Sequence, residues 1–381
     1  MRRLLALLVL SALRLSGSYA YKGTVSFTGA AGSTQNNITL VFSFSDARLK
    51  TAANGGAIQN LCARDSANVP CDFVVTDDAT CASLTGSYTW GWDTYSATAG
   101  TGLVWVRIPS YTTSGVMPNV CFGNSSISTY QGGSAGAEFD TSTKLALHFP
   151  DGSALNAADY SASGYNGTNS GATAVAGKID GAGSFQGAAG MAIGANKTNL
   201  QCPTSFTVSA WIRLRSTSQS SFAWALTQDY TTPRSSPFAN YALMANDSGA
   251  NVWSFWYDFG GAAARLTSGV SRDTSWHYLA GTATSGSQVL YIDGSSAGTD
   301  NKTGSFSYNS SGVFEIGRNS DGSEAANADI DEVKVACTVR PQSWIQTEYA
   351  NQNSPPSLGS IGAVSGGSGG YAANPFVIVE N

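Results

Sequence analysis

The chain has 381 residues, long enough for more than one domain, and only 12% of them are charged. Its 20 Lys and Arg against 25 Asp and Glu give a net charge of −5 with no basic run, which argues against a nucleic-acid partner. Glu and Lys, the usual helix-surface residues, are scarce, whereas Gly (43 residues), Ser, Thr and Asn abound, so an all-β architecture rich in loops is expected.

Residues 1–20, MRRLLALLVLSALRLSGSYA, read as a secretory signal peptide. Arg2 and Arg3 supply the charge, Leu4 to Leu13 the apolar stretch and Ser18-Tyr19-Ala20 the small-residue cleavage site, with mature protein beginning near Tyr21. The stretch is too short for a membrane span, which needs about 20 apolar residues. A secreted protein, extracellular or at the cell surface, is expected. Six cysteines fit that compartment: Cys62, Cys71, Cys81 and Cys121 in the first half, Cys202 and Cys337 in the second. Without a Cys-x-x-Cys pair they read as structural disulfides, and pairing among the first four stays open.

A first β-sandwich unit is expected over 21–130. In LVFSF, Leu40, Phe42 and Phe44 alternate onto one face, and CDFVVTDD, YTWGW and LVWVRIP add short strands between Gly, Ser and Asn turns. Small residues over 131–144 read as a linker. The second unit is expected over 145–362. Its clearest strand is FTVSAWIRL, with Phe206, Val208, Ala210, Ile212 and Leu214 on one face, followed by VWSFWYDF, WHYLAGT, QVLYIDG, VFEIGR and IDEVKVAC. Asp293 in YIDG precedes Gly294, so it reads as a hairpin corner. PQSWIQTEYANQ reads as a helix with Ser343 as its N-cap. Over 363–381 a Gly/Ser-rich tail leads to PFVIVEN, whose apolar strand is expected to add to a sheet edge of its own chain or of a second copy, a route to self-association.

LALHFPDGS, AADYSASGYNGT, GKIDGAGSFQG, FTVSAWIRL, SWHYLAGT, QVLYIDG, FEIGR and IDEVKV occur in an order that resembles the laminin-G-like branch of the concanavalin A-like lectin/glucanase sandwiches. The first unit, with DFVVTDD, GLVWVRIP and VCFGN, resembles a bacterial extracellular sandwich domain of unassigned function that often precedes one. The resemblance implies an all-β fold of two β-sandwich domains, the second a concanavalin A-like jelly roll. It also implies that the strands bearing Cys202 and Cys337 are neighbours. Since counting by twos puts both cysteines on the core face, a Cys202–Cys337 disulfide is expected.

That fold hosts lectins, glucanases and adhesion modules alike, so function rests on particular residues. Glucanases of this fold carry three alternating acids on one strand, and retaining hydrolysis needs two carboxyls about 5 Å apart. In DIDEV, Asp329 and Asp331 alternate, but Val333 stands where the third acid belongs and Glu332 points to the opposite face. The only histidines are His148 and His277, so no catalytic residue is assigned; His277 reads as structural.

Alternation places Asp331 on the inward face with Val333 and Val335, where a carboxylate must be paired, hydrogen-bonded or metal-bound. The resemblance implies a structural Ca²⁺ held by Asp331 and Asp159 with carbonyls of Ser163 to Asn166; acceptance of backbone N–H bonds is the other reading. For carbohydrate, Trp256 and Asp258 share the face opposite Phe255 and Tyr257, offering an aromatic platform and a hydrogen-bonding group. Trp224, Asp229 and Asn246 are weaker candidates. The reading is a secreted, non-catalytic protein that binds an extracellular glycan or cell-surface polysaccharide or mediates adhesion. Alternatives are a structural subunit of an extracellular fibre or envelope layer and an accessory polysaccharide-degrading enzyme.

Overall fold

The computed structural model describes residues 18–64, 67–82, 88–150, 152, 154–194, 198–229, 239–259, 262–306, 308 and 312–364. The body of the expected signal peptide and the strand PFVIVEN lie outside the described residues.

Every paired strand in the sheets is antiparallel, as the alternating sequence requires. The first unit packs a three-stranded sheet (Gln35–Ser45, Thr101–Tyr111, Thr89–Ser96) on a four-stranded one. Ile38, Leu40, Phe42 and Phe44 point between the sheets with Phe73, Trp90, Trp92 and Phe122, and all are buried. Disulfides Cys62–Cys71 and Cys81–Cys121 resolve the pairing.

The second unit faces a seven-stranded sheet with an eight-stranded one. Phe206, Val208, Ala210, Ile212 and Leu214 enter the core against Leu243, Phe255, Tyr257 and Leu266. The Cys202–Cys337 disulfide is present, bridging 135 residues. Asp293 (φ 51°) and Gly294 (φ 77°) form the left-handed corner of the hairpin between Ser287–Ile292 and Ser295–Asp300. The Asp293 side chain is also employed: it accepts from the Tyr278 N–H (2.9 Å) and meets His277 Nδ1 at 2.7 Å.

Three expectations need correction. The second unit does not run to 362. Its last strand ends at Ala336, and the helix Gln342–Asn353 carries the chain back to the first unit. There Leu358 N–H donates to Ser43 (2.8 Å), and Gly362–Ala363 pairs with Tyr21–Lys22 at the edge of the four-stranded sheet. The first sandwich is therefore closed by both ends of the described chain, with the second inserted between them. The segment 131–144 is not a loose spacer, because Glu138 and Phe139 are buried in it and Asp140 pairs with Arg340 at 2.7 Å. The helix begins at Gln342 with Pro341 as its cap; Ser343 lies inside, its hydroxyl 3.3 Å from that of Ser33. A helix wedged between two units has no single apolar stripe: Trp344 packs in the first core, and Ile345 against Trp211 and Tyr278.

Candidate functional site

Two places gather functional groups. The first is the outer face of the seven-stranded sheet. Along Val252–Phe259, pleating sends Trp253, Phe255, Tyr257 and Phe259 into the core and leaves Ser254, Trp256 and Asp258 outside. Trp256 lies opposite Ala242 on one neighbouring strand and Arg265 on the other. Trp224 comes from the strand Ala223–Asp229, its ring centroid 5.5 Å from that of Trp256, and its indole donates to Glu324 (2.8 Å). Arg265 lies over the Trp256 ring at 5.3 Å and donates to Asp247 at 2.7 Å. Thr227 and Asn240 complete the face.

Its polar atoms are unusual. Thr227 Oγ1, Asn240 Nδ2 and Oδ1, Ser254 Oγ and Trp256 Nε1 are shielded from solvent and have no hydrogen-bond partner among the described residues. A buried polar group left unmade costs about 1–3 kcal/mol, so such a cluster calls for an explanation. The sequence placed Trp256 and Asp258 on this face correctly, but both are buried, at 8% and 1% exposure, rather than open. Asn246 ends the strand Tyr241–Asn246 and braces the turn after it, donating to Ser220 (2.7 Å) and accepting from Asn251 (3.1 Å), and the Asp229 side chain lies outside the described residues.

The second place is the seam between the units. Ala328 and Ile330 face the core, and so do Val333 and Val335, an offset of three that breaks the alternation. Glu332 adopts φ 52°, and the pairing with Ser205–Leu214 slips between Ser209 and Trp211, which marks a β-bulge. Asp331 is consequently not inward-facing, and Glu332 is not opposed to it; Asp329, Asp331, Glu332 and Lys334 all leave the core face. Asp329 is held by Arg213 and Arg215, each at 2.8 Å.

The expected calcium pair is occupied otherwise. Asp331 accepts from the N–H groups of Lys178 and Ile179 (both 2.9 Å) and Glu332 (2.7 Å). Burial, followed by the neighbouring Glu332, pushes its carboxyl well above the ordinary range. Asp159 accepts from the N–H groups of Ala146, Ser161 and Tyr165 and from the Ser161 hydroxyl at 2.7–3.0 Å. Asn166, expected to lend a carbonyl, accepts from Asp159 N–H with its side chain (2.9 Å). Acceptance of N–H bonds describes both acids, and neither belongs to the metal-capable group found here.

That group is Asp93, His148 and Glu332, one ligand atom of each lying within 4.8 Å of the others. Asp93 comes from the first unit and reaches over the seam; Trp105 Nε1 donates to its Oδ2 at 3.3 Å. His148 Nδ1 sits 2.9 Å from both Glu332 oxygens, and its ring stacks on Trp105 at 4.6 Å. Lys334 Nζ lies 3.4 Å from Glu332, 3.0 Å from Glu348 and 4.4 Å from the Trp105 ring centre. Burial pushes the Asp93 and Glu332 carboxyls each up to about 8. None of Asp93, His148, Lys334 or Glu348 stood out as a site residue in the sequence. Only the adjacent acids Asp331 and Glu332 hinted at it, and their partners are remote in the chain.

With both sites described, the class follows: a β-sandwich protein whose second unit has a concanavalin A-like fold. Residues 185–346 match the concanavalin A-like lectin/glucanases superfamily (Laminin_G_3), and those residues form a domain of that superfamily. No curated protein matches the chain in sequence. Among solved structures, domain 4 of AbnA, an extracellular arabinanase of Geobacillus stearothermophilus seen with arabinotriose, is 15% identical. That alignment covers 54% of this chain and 96% of that one, with a TM-score of 0.43. A structure of botulinum neurotoxin type C, described for its interaction with two ganglioside molecules, is 19% identical, covering 55% and 51% at TM-score 0.40. Trypanosoma rangeli sialidase in complex with the inhibitor DANA is 12% identical, covering 54% and 32% at TM-score 0.41. This chain thus spans about half or less of the latter two. Three disulfides mark a protein that folds in an oxidising setting, and no helix among the described residues is long and apolar enough to cross a membrane.

Proposed function

We propose that the protein is a secreted, non-catalytic carbohydrate-binding module, and that the outer face of the seven-stranded sheet is its binding site. One observation carries this reading: donors and acceptors of Thr227, Asn240, Ser254 and Trp256 that have no hydrogen-bond partner among the described residues lie beside the paired rings of Trp224 and Trp256. A sugar presents apolar C–H faces to an aromatic ring and hydroxyls that both donate and accept, which is the chemistry those atoms lack. A mostly apolar pocket with a few convergent polar groups is the usual form of a small-ligand site. Because the atoms are shielded from solvent, a ligand reaches them only after local opening, so association is slower than for a preformed groove.

Binding is favoured over hydrolysis because the strand acids are committed elsewhere, Asp329 to two arginines and Asp331 to three N–H groups. A glycan array probed with the full secreted chain tests the proposal. Binding to a defined set of glycans, lost in Asn240→Ala, is expected. Retention of that binding by Asn240→Ala, or binding to no glycan, refutes it.

A further inference from the structure

The seam places three ligand residues together in a dry, aromatic enclosure. Asp93 arrives from the strand Thr89–Ser96 of the first unit, His148 from the segment after Thr143–Leu147, and Glu332 from the bulge of the second. All are buried, with their ligand atoms within 4.8 Å of one another. Asp93 Oδ1 has no hydrogen-bond partner among the described residues, although its residue is only 7% exposed. Its other oxygen is fixed by the Trp105 indole, which leaves Oδ1 free to face the group.

We propose that Asp93, His148 and Glu332 bind a divalent transition metal, with zinc as the best match, and that the ion clasps the two units together. Charge decides in favour of a cation. Lys334 is shared between Glu348 at 3.0 Å and Glu332 at 3.4 Å, so its single charge does not offset both glutamates, and Asp331 is met by three N–H donors. The group itself is two carboxylates and an imidazole beside that shared lysine. A divalent ion bound with a neutral histidine offsets the charge that the shared lysine leaves on the two buried carboxylates, which is costly to keep unpaired in a dry site.

The donor set selects the ion. Imidazole and carboxylate oxygens are ordinary zinc ligands at about 2.0–2.2 Å, while calcium needs six to eight oxygens. Trp105, Phe139 and Tyr160 wall His148, with ring centres at 4.6, 5.7 and 4.8 Å, which favours a low coordination number. The bulge serves the site too. A non-glycine residue at φ 52° is strained, and here the strain aims Glu332 at the ligand group instead of into the sandwich core.

The test uses the untagged full chain, depleted with chelator and then titrated with Co²⁺ and Zn²⁺. Expected results are about one metal per chain by elemental analysis, a visible Co²⁺ ligand-field band that Zn²⁺ displaces, and proton release on binding. Asp93→Asn and His148→Gln should weaken binding by about tenfold or more, whereas His277→Gln, at the other histidine, should leave it unchanged. If a seam variant fails to fold, the wild-type Co²⁺ titration still decides. Absence of a Co²⁺ band, metal below about a tenth of an equivalent after dialysis, or loss of binding only in His277→Gln overturns the proposal.

Discussion

The Cys202–Cys337 disulfide offers a sharp quantitative test of how the second unit is held. It ties the segment before Ser205–Leu214 to the end of Ala328–Ala336, just where the chain turns back to the first unit. The bridge closes 135 residues, against 9 for Cys62–Cys71. In the chain-entropy model, loops of those lengths stabilise by about 5 and about 2.6 kcal/mol. The Cys202→Ala/Cys337→Ala variant should therefore lose roughly twice as much as Cys62→Ala/Cys71→Ala. With a urea slope of about 2–3 kcal/mol per molar, its midpoint falls by about 2 M. Equilibrium unfolding in urea, followed by tryptophan fluorescence, measures both. Equal losses, or a loss below about 1 kcal/mol for the long bridge, would refute loop length as the source of its stabilisation.

Three further outcomes follow from the packing. Lys334→Met leaves Glu332 and Glu348 without their cation and should cost about 3–5 kcal/mol in thermal unfolding, partly restored by adding Glu348→Gln. His277 is raised above its ordinary pKa, first by its hydrogen bond to Asp293. Its contribution is therefore complete below about pH 6.5 and fades as pH rises through the raised value, so Asp293→Asn should lower the melting temperature more at pH 6 than at pH 9. Ending the chain at Asn353 removes Leu358 and Ile361 from the first core, where a Cβ on Gly23 would lie only 2.9 Å from Leu358; this should cost the first unit about 3–6 kcal/mol and leave the second folded, as limited proteolysis would show.

Alternation made much of the fold legible. Leu40, Phe42 and Phe44, or Phe206 through Leu214, each face a core because period-two patterning survives wherever a strand is regular. The same rule set Trp256 and Asp258 on the outer face. It failed at Asp331, because one bulge residue shifts every later side chain by a step, and no local signal reveals a bulge at a glutamate. The return of 357–363 to the first sheet was hidden for another reason: a two-residue pairing across the whole chain has no periodicity to read. The seam cluster combines both limits, since Asp93 and Glu332 meet only through an interface that neither unit's pattern encodes.

The most direct test of the glycan-binding face is a calorimetric titration of a glycan selected on the array into wild type and Trp256→Ala, with melting curves for both. Trp256 carries the aromatic surface beside polar atoms that have no hydrogen-bond partner among the described residues. The variant should bind at least about tenfold more weakly, about 1.4 kcal/mol, while it still folds and melts cooperatively. Equal affinity in the two proteins would place the sugar elsewhere on the molecule and contradict the assignment of this sheet face.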